Sequence, residues 1–292
     1  MKTPHADALP ESGARGSEFS QTPDPKSLVP IVHRLRRGPW LQLFTPWRFE
    51  WNRYELPVPN LPPTLAGLKI VHLTDIHLRP GWRRVHDEVL SRVRDAAPDL
   101  ILISGDLIEH KFNHRPSIPT LERFCTGLSA PAGVFAILGN HDGDLVAAHL
   151  TRCGVQLVNR RIATICYRDT PVEVLGAPGV LRDDLDDGFA ELVPSRSRGS
   201  LRILMTHFPD TMRQLAILKP DLVLTGHTHG GQVCLPGGIP VLRHDTLPRH
   251  LCSGVHRAFD TWLVIGRGLG FATHQIRLFC PAEVIELELR PA

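Results

Sequence analysis

Five short apolar runs punctuate the chain, and each gives way to a polar turn. Lys69–Thr74 leads into Asp75, Asp99–Ser104 into Gly105-Asp106, and Gly133–Leu138 into Gly139-Asn140-His141. Leu201–Thr206 leads into His207, and Asp221–Thr225 into Gly226-His227. Each run has the length and β-branched content of a strand buried on both faces. Between the runs, Trp82–Ala97 and Leu145–Cys153 read as helices, and Val172–Gly176, Trp262–Gly266 and Glu283–Leu289 read as further strands. Strands alternating with helices predict an α/β sheet protein, whose ligands gather beyond the carboxyl ends of strands. The five polar turns are therefore expected to converge on one site.

This pattern places an ordered catalytic body at residues 65–292. Residues 1–27, low in apolar content and rich in Pro, Ser, Gly and charge, read as a disordered segment. Residues 28–64 read as a strand with a Pro-rich connector. Trp47, Phe49 and Trp51 would share one side of that strand. A second reading makes residues 28–56 a basic, aromatic surface at a lipid headgroup layer, with Leu28–Phe44 the part better suited to it.

Composition narrows the class only a little. The chain has 292 residues, 42% hydrophobic and 22% charged, ordinary values for a globular protein. A net charge of +3 gives no reason to expect nucleic-acid binding. The six cysteines include no C-x-x-C pair, which argues against a thiolate zinc site or a disulfide framework. Reduced thiols point to a cytoplasmic setting, with peripheral contact at the inner membrane as the alternative carried by residues 28–56. No apolar run is long enough for a transmembrane helix, and Arg36-Arg37 lies too far along, in too interrupted a context, to read as an export signal.

Candidate chemistry changes the picture most. Asp75 and His77, one residue apart on an extended turn, could reach one cation. Asp106 offers two carboxylate oxygens and so could bridge two. Asn140 adds a neutral oxygen, and His207, His227 and His229 add imidazoles. A mixed nitrogen and oxygen set without thiolate suits Mn, Fe, Zn, Co or Ni better than Ca or Mg. Two such ions, roughly 3.5–4 Å apart, can hold phosphoryl oxygens, acidify a water and stabilise an in-line displacement. His141, beside a proposed ligand, could protonate a leaving oxygen, and Asp142 could orient that imidazole.

In order and spacing, Asp75-x-His77, Gly105-Asp106, Gly139-Asn140-His141-Asp142, His207 and Gly226-His227-Thr228-His229 resemble the motifs of the calcineurin-like metallophosphoesterases. The resemblance implies a four-layer αββα sandwich and two divalent ions (manganese, iron or zinc). It implies one ion at Asp75, His77, Asp106 and His229, and the other at Asp106, Asn140, His207 and His227. Asp106 would bridge them together with a nucleophilic hydroxide, and His141 would be the catalytic histidine. The continuation Gly230-Gly231-Gln232 into Val233-Cys234-Leu235-Pro236, with Gly266-Arg267-Gly268-Leu269-Gly270 later, is similar to a bacterial phosphodiesterase branch. That branch includes UDP-2,3-diacylglucosamine hydrolases. The implied activity is phosphodiester hydrolysis on a phosphoester substrate. The alternatives are a lipid-linked UDP-sugar pyrophosphate hydrolase, a protein phosphatase, and a non-catalytic metal-binding scaffold.

Other polar residues read less sharply. An isolated Asp is usually a cap or turn residue; only the joint pattern lifts Asp75 and Asp106 above that. His72 reads as a core histidine with a partner. His110 and His114 read as a solvated loop, with substrate contact as the alternative. Arg79, Arg267 and Arg277 are candidates to hold a phosphate. Cys234 and Cys280 read as structural.

Overall fold

The computed structural model describes residues 40–44, 46–109, 113–177, 189, 193–241, 248–258 and 260–292. Its strands, in chain order, begin with β1 (Leu41–Leu43), β2 (Phe49–Val58), β3 (Lys69–Leu73), β4 (Leu100–Ser104), β5 (Val134–Ile137), β6 (Gln156–Leu157), β7 (Arg161–Tyr167) and β8 (Thr170–Gly176). They continue with β9 (Leu201–Met205), β10 (Leu222–Thr225), β11 (Cys234–Leu235), β12 (Ile239–Pro240), β13 (Gly254–Ala258), β14 (Thr261–Ile265), β15 (Ile276–Leu278) and β16 (Ala282–Pro291). The helices are α1 (Arg84–Ala96), α2 (Ile118–Thr126), α3 (Asp144–Arg152) and the single turn α4 (Met212–Leu215).

Two six-stranded mixed sheets carry the fold, in the orders β2-β16-β3-β4-β5-β6 and β13-β14-β10-β9-β8-β7. The alternation of side chains along each strand explains why the runs are largely apolar. In β4, Ile101 and Ile103 face the helices, while Leu100 and Leu102 face the other sheet. In β10, Leu222 and Leu224 face inward between the sheets, and Val223 faces the outer layer. Both faces of each central strand are dry, so a polar residue is held there only with a partner, as His72 is by Ser104 and Arg202 by Glu173. The result is the four-layer αββα sandwich that the motifs implied.

The helical layer over the first sheet follows from spacing. Val85, Val89 and Val93 recur at four-residue intervals on one side of α1 and are buried against β3 and β4. The opposite side carries an Arg92–Glu88 pair at 2.9 Å. Ala97 closes the helix in a left-handed conformation (φ 44°), and Pro98 prevents continuation. The second sheet is covered by the turn at Ala216–Leu218, by α4 and by Leu251. No described helix is long and apolar enough to cross a membrane.

Residues ahead of position 65 enter the sheet itself. β2 pairs in parallel with β16 along its whole length, from Phe49 opposite Ala282 to Val58 opposite Pro291. Trp51 Nε1 donates to Glu286 at 2.6 Å, and Arg53 forks onto the same carboxylate. Phe49 and Trp51 pack toward the helices, but Trp47 is exposed. Residues 1–39 and His110 lie outside the described residues.

Phe135 sits at the centre of the contact between the two sheets and is fully buried. Phe135→Ala should destabilise the fold by about 3–5 kcal/mol, read as a lower urea midpoint at unchanged slope.

Candidate metal centre

The parallel strands β3, β4 and β5 of one sheet and β9 and β10 of the other end at the same edge of the sandwich. The five polar turns follow them, so Asp75, Asp106, Asn140, His207 and His227 come together there. The turns do not run extended, as the sequence reading expected for Asp75 and His77. Asp75 (φ 45°), His77 (φ 46°), Asp106 (φ 53°), His227 (φ 66°) and His229 (φ 49°) all adopt the left-handed conformation. Side chains rarely take that conformation unless surrounding structure holds them there. Here neighbouring backbone does so. The Asp75 amide donates to Gly105 O at 3.0 Å, His77 to Asp106 O at 3.0 Å, and Leu78 to Leu107 O at 2.7 Å.

Glycine is required where the turns touch. A Cβ at Gly226 would overlap Thr74 Oγ1 and Asp75 Oδ2, and one at Gly139 would overlap Asp106 Oδ1. Each carboxylate therefore sits in a cradle with one oxygen tied to the protein. Asp75 Oδ2 accepts from the Thr74 hydroxyl at 2.7 Å and from the His227 amide at 3.0 Å. Asp106 Oδ1 accepts from the His141 amide at 2.8 Å.

The other oxygens face imidazoles. Asp75 Oδ1 lies 3.2 Å from His229 Nε2 and 4.0 Å from His77 Nε2. Asp106 Oδ2 lies 3.3 Å from His207 Nε2 and 3.6 Å from His77 Nε2, so it touches both halves of the cluster. Asn140 Oδ1 lies 3.1 Å from His207 Nε2 and 3.0 Å from His227 Nδ1. His77 Nε2 and His229 Nε2 face each other at 3.1 Å. Seven side chains thus aim seven nitrogen or oxygen atoms inward. Asp75, His77, Asp106, His207 and His229 are buried, and Asn140 and His227 are half-buried.

Electrostatics describe a cluster built for positive charge. The neighbouring imidazoles hold the Asp75 and Asp106 carboxyls well below the ordinary range, although burial pushes the other way. Burial alone would lower His207, but Asp106 and Asp75 raise it to about 9. His77 is raised in the same manner, against burial, by Glu109, Asp106 and Asp75. Burial lowers His227 to about 3 and His229 to about 4, leaving them neutral with lone pairs available. In the protein alone the raised His207 and His77 answer the two carboxylates. Divalent cations fit the same donor set better, because every inward atom can then act as a ligand.

The groups behind the cluster fix its orientation. His207 Nδ1 donates to Ser104 O at 2.8 Å, which leaves Nε2 facing the centre. His77 Nδ1 lies 2.8 Å from Glu109 Oε2. The main chain of Glu109 serves His141, whose Nδ1 donates to Glu109 O at 2.8 Å. His141 Nε2 is then the nitrogen left to exchange a proton. His114 Nε2 donates to His141 O at 2.8 Å, so His114 supports this turn from behind. His72 Nε2 meets Ser104 Oγ at 2.8 Å inside the sandwich.

Several sequence expectations change here. Asp142 does not reach the His141 imidazole. Its buried carboxylate accepts from the amides of Leu107, Ile108 and Gly139 at 2.9–3.2 Å. Burial and the nearby Asp106 charge raise it to about 6, against those three bonds. Asp142 ties the Asp106 and Asn140 turns together, and the Glu109 carbonyl orients His141. Two of the three arginines, Arg267 and Arg277, are buried and committed to other partners. Arg79 pairs with Glu109 at 3.2 Å. Arg267 is buried between Glu50 and Glu283. Arg277 is buried among the carbonyls of Arg267, Gly268 and Gly270, with Nη2 3.2 Å from His229 Nδ1. Glu109 and Arg277 are the site residues that sequence reasoning missed or misplaced. Glu109 stood in plain view, three residues past Asp106. Cys234 and Cys280 donate to Gly230 O, and Cys280 also to His229 O, behind the same loop.

The profile of the family described as calcineurin-like phosphoesterase matches residues 68–231. The chain belongs to that family. It is similar to an uncharacterized metallophosphoesterase, YkuE, of Bacillus subtilis, at 30% identity over 84% of this chain and 87% of that one. It is also similar to the phosphodiesterase YaeI of Escherichia coli, at 27% identity over 84% and 89%. The UDP-2,3-diacylglucosamine pyrophosphatase LpxG of Chlamydia muridarum is 27% identical over 84% and 90%. As a calcineurin-like phosphoesterase, the chain is a hydrolase of phosphate esters, a class that uses divalent metals.

Two outcomes follow for this phosphoesterase. His207 carries a proton near neutral pH in the metal-free protein, and a cation must displace it. Divalent-metal affinity should therefore rise with pH toward about 9, and binding should release protons. Calorimetry in two buffers of different ionisation enthalpy measures the release; buffer-independent heats would remove His207 from the ligand set. Glu109→Gln should weaken metal binding by roughly 10–100-fold while the metal-free protein still folds, its thermal transition lowered by loss of the Glu109 pairs with His77 and Arg79.

Proposed function

We propose that the chain hydrolyses a phosphodiester using two divalent cations that share Asp106. The observation that carries this reading is the position of Asp106 Oδ2, within 3.3 Å of His207 Nε2 and 3.6 Å of His77 Nε2. One ligand set is then Asp75, His77, Asp106 and His229, and the other is Asp106, Asn140, His207 and His227. Bound there, the cations would hold the phosphoryl oxygens, acidify the attacking water and neutralise developing charge. Manganese, iron and zinc all suit the donors.

The protein's own groups supply the rest. Thr74, the His227 amide and the His141 amide hold the carboxylates in place, so that little reorganisation is needed during reaction. His141 is half-buried beside the ligands, with Nδ1 committed to Glu109 O. Its Nε2 would deliver a proton to the leaving oxygen as the P–O bond breaks. That aid matters for a poor alkoxide leaving group, which is what a diester presents. The likeness to a phosphodiesterase and to a pyrophosphatase, both of which cleave a phosphorus bridged on two sides, supports the diester preference. A second reading, a nucleotide-sugar pyrophosphate carried on a lipid, is supported by the likeness to LpxG.

Asp106→Asn should lose bound metal and activity together. His141→Ala should keep both metals and slow hydrolysis of an alkyl diester by on the order of 10²–10⁴-fold, and slow bis-p-nitrophenyl phosphate far less, because p-nitrophenolate leaves without a proton. Metal analysis alongside a panel of monoester, diester and nucleotide-diphospho-sugar substrates checks both. Normal turnover by Asp106→Asn at full metal content would sink the shared-ligand reading.

A further inference from the structure

A ribbon of short strands covers the back of the His227–His229 loop. β15 pairs antiparallel with β1, Leu41 opposite Leu278 and Leu43 opposite Ile276. On its other edge Leu278 bridges Val233, which leads into β11 and β12. The Val241 amide returns to Val233 O at 3.0 Å, closing the hairpin onto the ribbon.

The polarity of this ribbon is inverted. Its inward positions include Gln42 and Arg277, each 1% exposed. Its outward positions are apolar. Leu43, Leu235, Ile239 and Val241 are 45–55% exposed, and Leu41 and Ile276 are half-buried. A surface strand in water alternates the other way, with apolar residues inward and polar residues outward. Trp40 (61% exposed) and Phe44 (70%) flank β1 on either side. Among the described residues, the other large apolar side chains left exposed are Trp47, close by in the chain, and Ile217.

Charge on this flank has one sign. Residues 40–48, 233–241 and 272–281 contain no aspartate or glutamate, while Arg48 and His274 stand exposed. In the sequence just before Trp40, Arg34, Arg36 and Arg37 follow without an acid. Outward tryptophan and aliphatic residues with basic, acid-free surroundings suit an anionic headgroup layer.

We propose that the β1–β15 ribbon and the β11–β12 hairpin dock on a bilayer bearing anionic lipids, holding the metal centre beside membrane-borne phosphoesters. The second half rests on the phosphoesterase reading above; the docking does not. Arg277 links the two. Its backbone lies in the ribbon and its guanidinium lies 3.2 Å from His229 Nδ1, so a single side chain separates face from centre. The surface also differs from the segment expected in the sequence. Phe49 onward is committed to the sheet, and the hairpin after the His229 loop takes its place.

The test is co-sedimentation of the full chain with vesicles of phosphatidylethanolamine and phosphatidylglycerol, and with vesicles of phosphatidylcholine alone. The parent chain should bind the anionic vesicles and bind phosphatidylcholine more weakly. Leu235→Ser combined with Ile239→Ser, both at exposed positions, should weaken binding on the order of tenfold. The same variant should hydrolyse a water-soluble diester at the parent rate. A parent chain that stays in the supernatant, or a variant that binds as well as the parent, would overturn the docking. So would a dimer in solution that the variant dissociates, which would assign the face to a second copy of the chain. Failure of the parent chain to cleave any soluble ester would count against the phosphoesterase reading and leave the vesicle result standing.

Discussion

Two carboxylates are buried where the sheets end, and a buried charge must be answered by another. Asp75 and Asp106 are almost without solvent contact, and isolated carboxylates in that position would be strongly destabilising. The surrounding imidazoles answer them, and so do the amides of His141 and His227. Nearly every local peculiarity of the site serves this requirement. Gly139 and Gly226 allow the turns to approach the carboxylates, and Thr74 donates its hydroxyl to one of them. The Asp142 carboxylate lies on the far side of the Asp106 turn and locks it to the Asn140 turn. Positive charge at the centre is thus a condition of the fold as well as of the chemistry.

The left-handed turns show how the two sheets share that condition. A residue in this conformation costs of order 1–3 kcal/mol unless its surroundings offset it. Five such residues stand at the centre, contributed by strands of both sheets. None could be held by its own strand alone, since each turn bonds to a neighbouring turn. The Asp75 and Asp106 turns run side by side, and the His227 amide crosses to Asp75 from the other sheet. The centre is therefore a joint between the layers, and its geometry is only as good as their packing. Phe135, Ile137, Ile203 and Met205, packed below it between the sheets, keep the joint aligned.

Much of this was legible in the sequence, for physical reasons that can be named. Strands with two dry faces must be largely apolar, so β3, β4, β5, β9 and β10 announced themselves, and the polar turns after them marked the shared edge. The structure gathers eight of the nine expected side chains at that edge; Asp142 is the exception, one layer back. What escaped notice lacks such a signature. α2 (Ile118–Thr126) carries Pro119 in its first turn and follows directly on a turn containing Pro116, so two prolines interrupt the helical pattern where it starts. The β1–β15 ribbon alternates with reversed polarity, so it matches no template for a soluble strand. The partners of Arg267 and Arg277 could not be read, because a guanidinium's partner is set by tertiary contact. Glu50 lies 217 residues from Arg267 in the chain. Glu109 acts through a carbonyl as well as a carboxylate, and no side-chain motif encodes a carbonyl.

The position of β16 has a consequence for how the protein is made. This strand lies between β2 and β3, parallel to one and antiparallel to the other. During synthesis both of its neighbours leave the ribosome more than two hundred residues earlier, and each must wait with an open edge. The Leu269 and Gly270 amides donate to Asp75 O at 3.1 and 2.7 Å, and the adjoining Gly268 carbonyl accepts from the Glu283 amide at 3.0 Å. The cation cradle therefore cannot settle until this late strand is inserted. Assembly of the centre thus waits for β16 to emerge, and a chain shorter than that has no finished site with which to capture a cation.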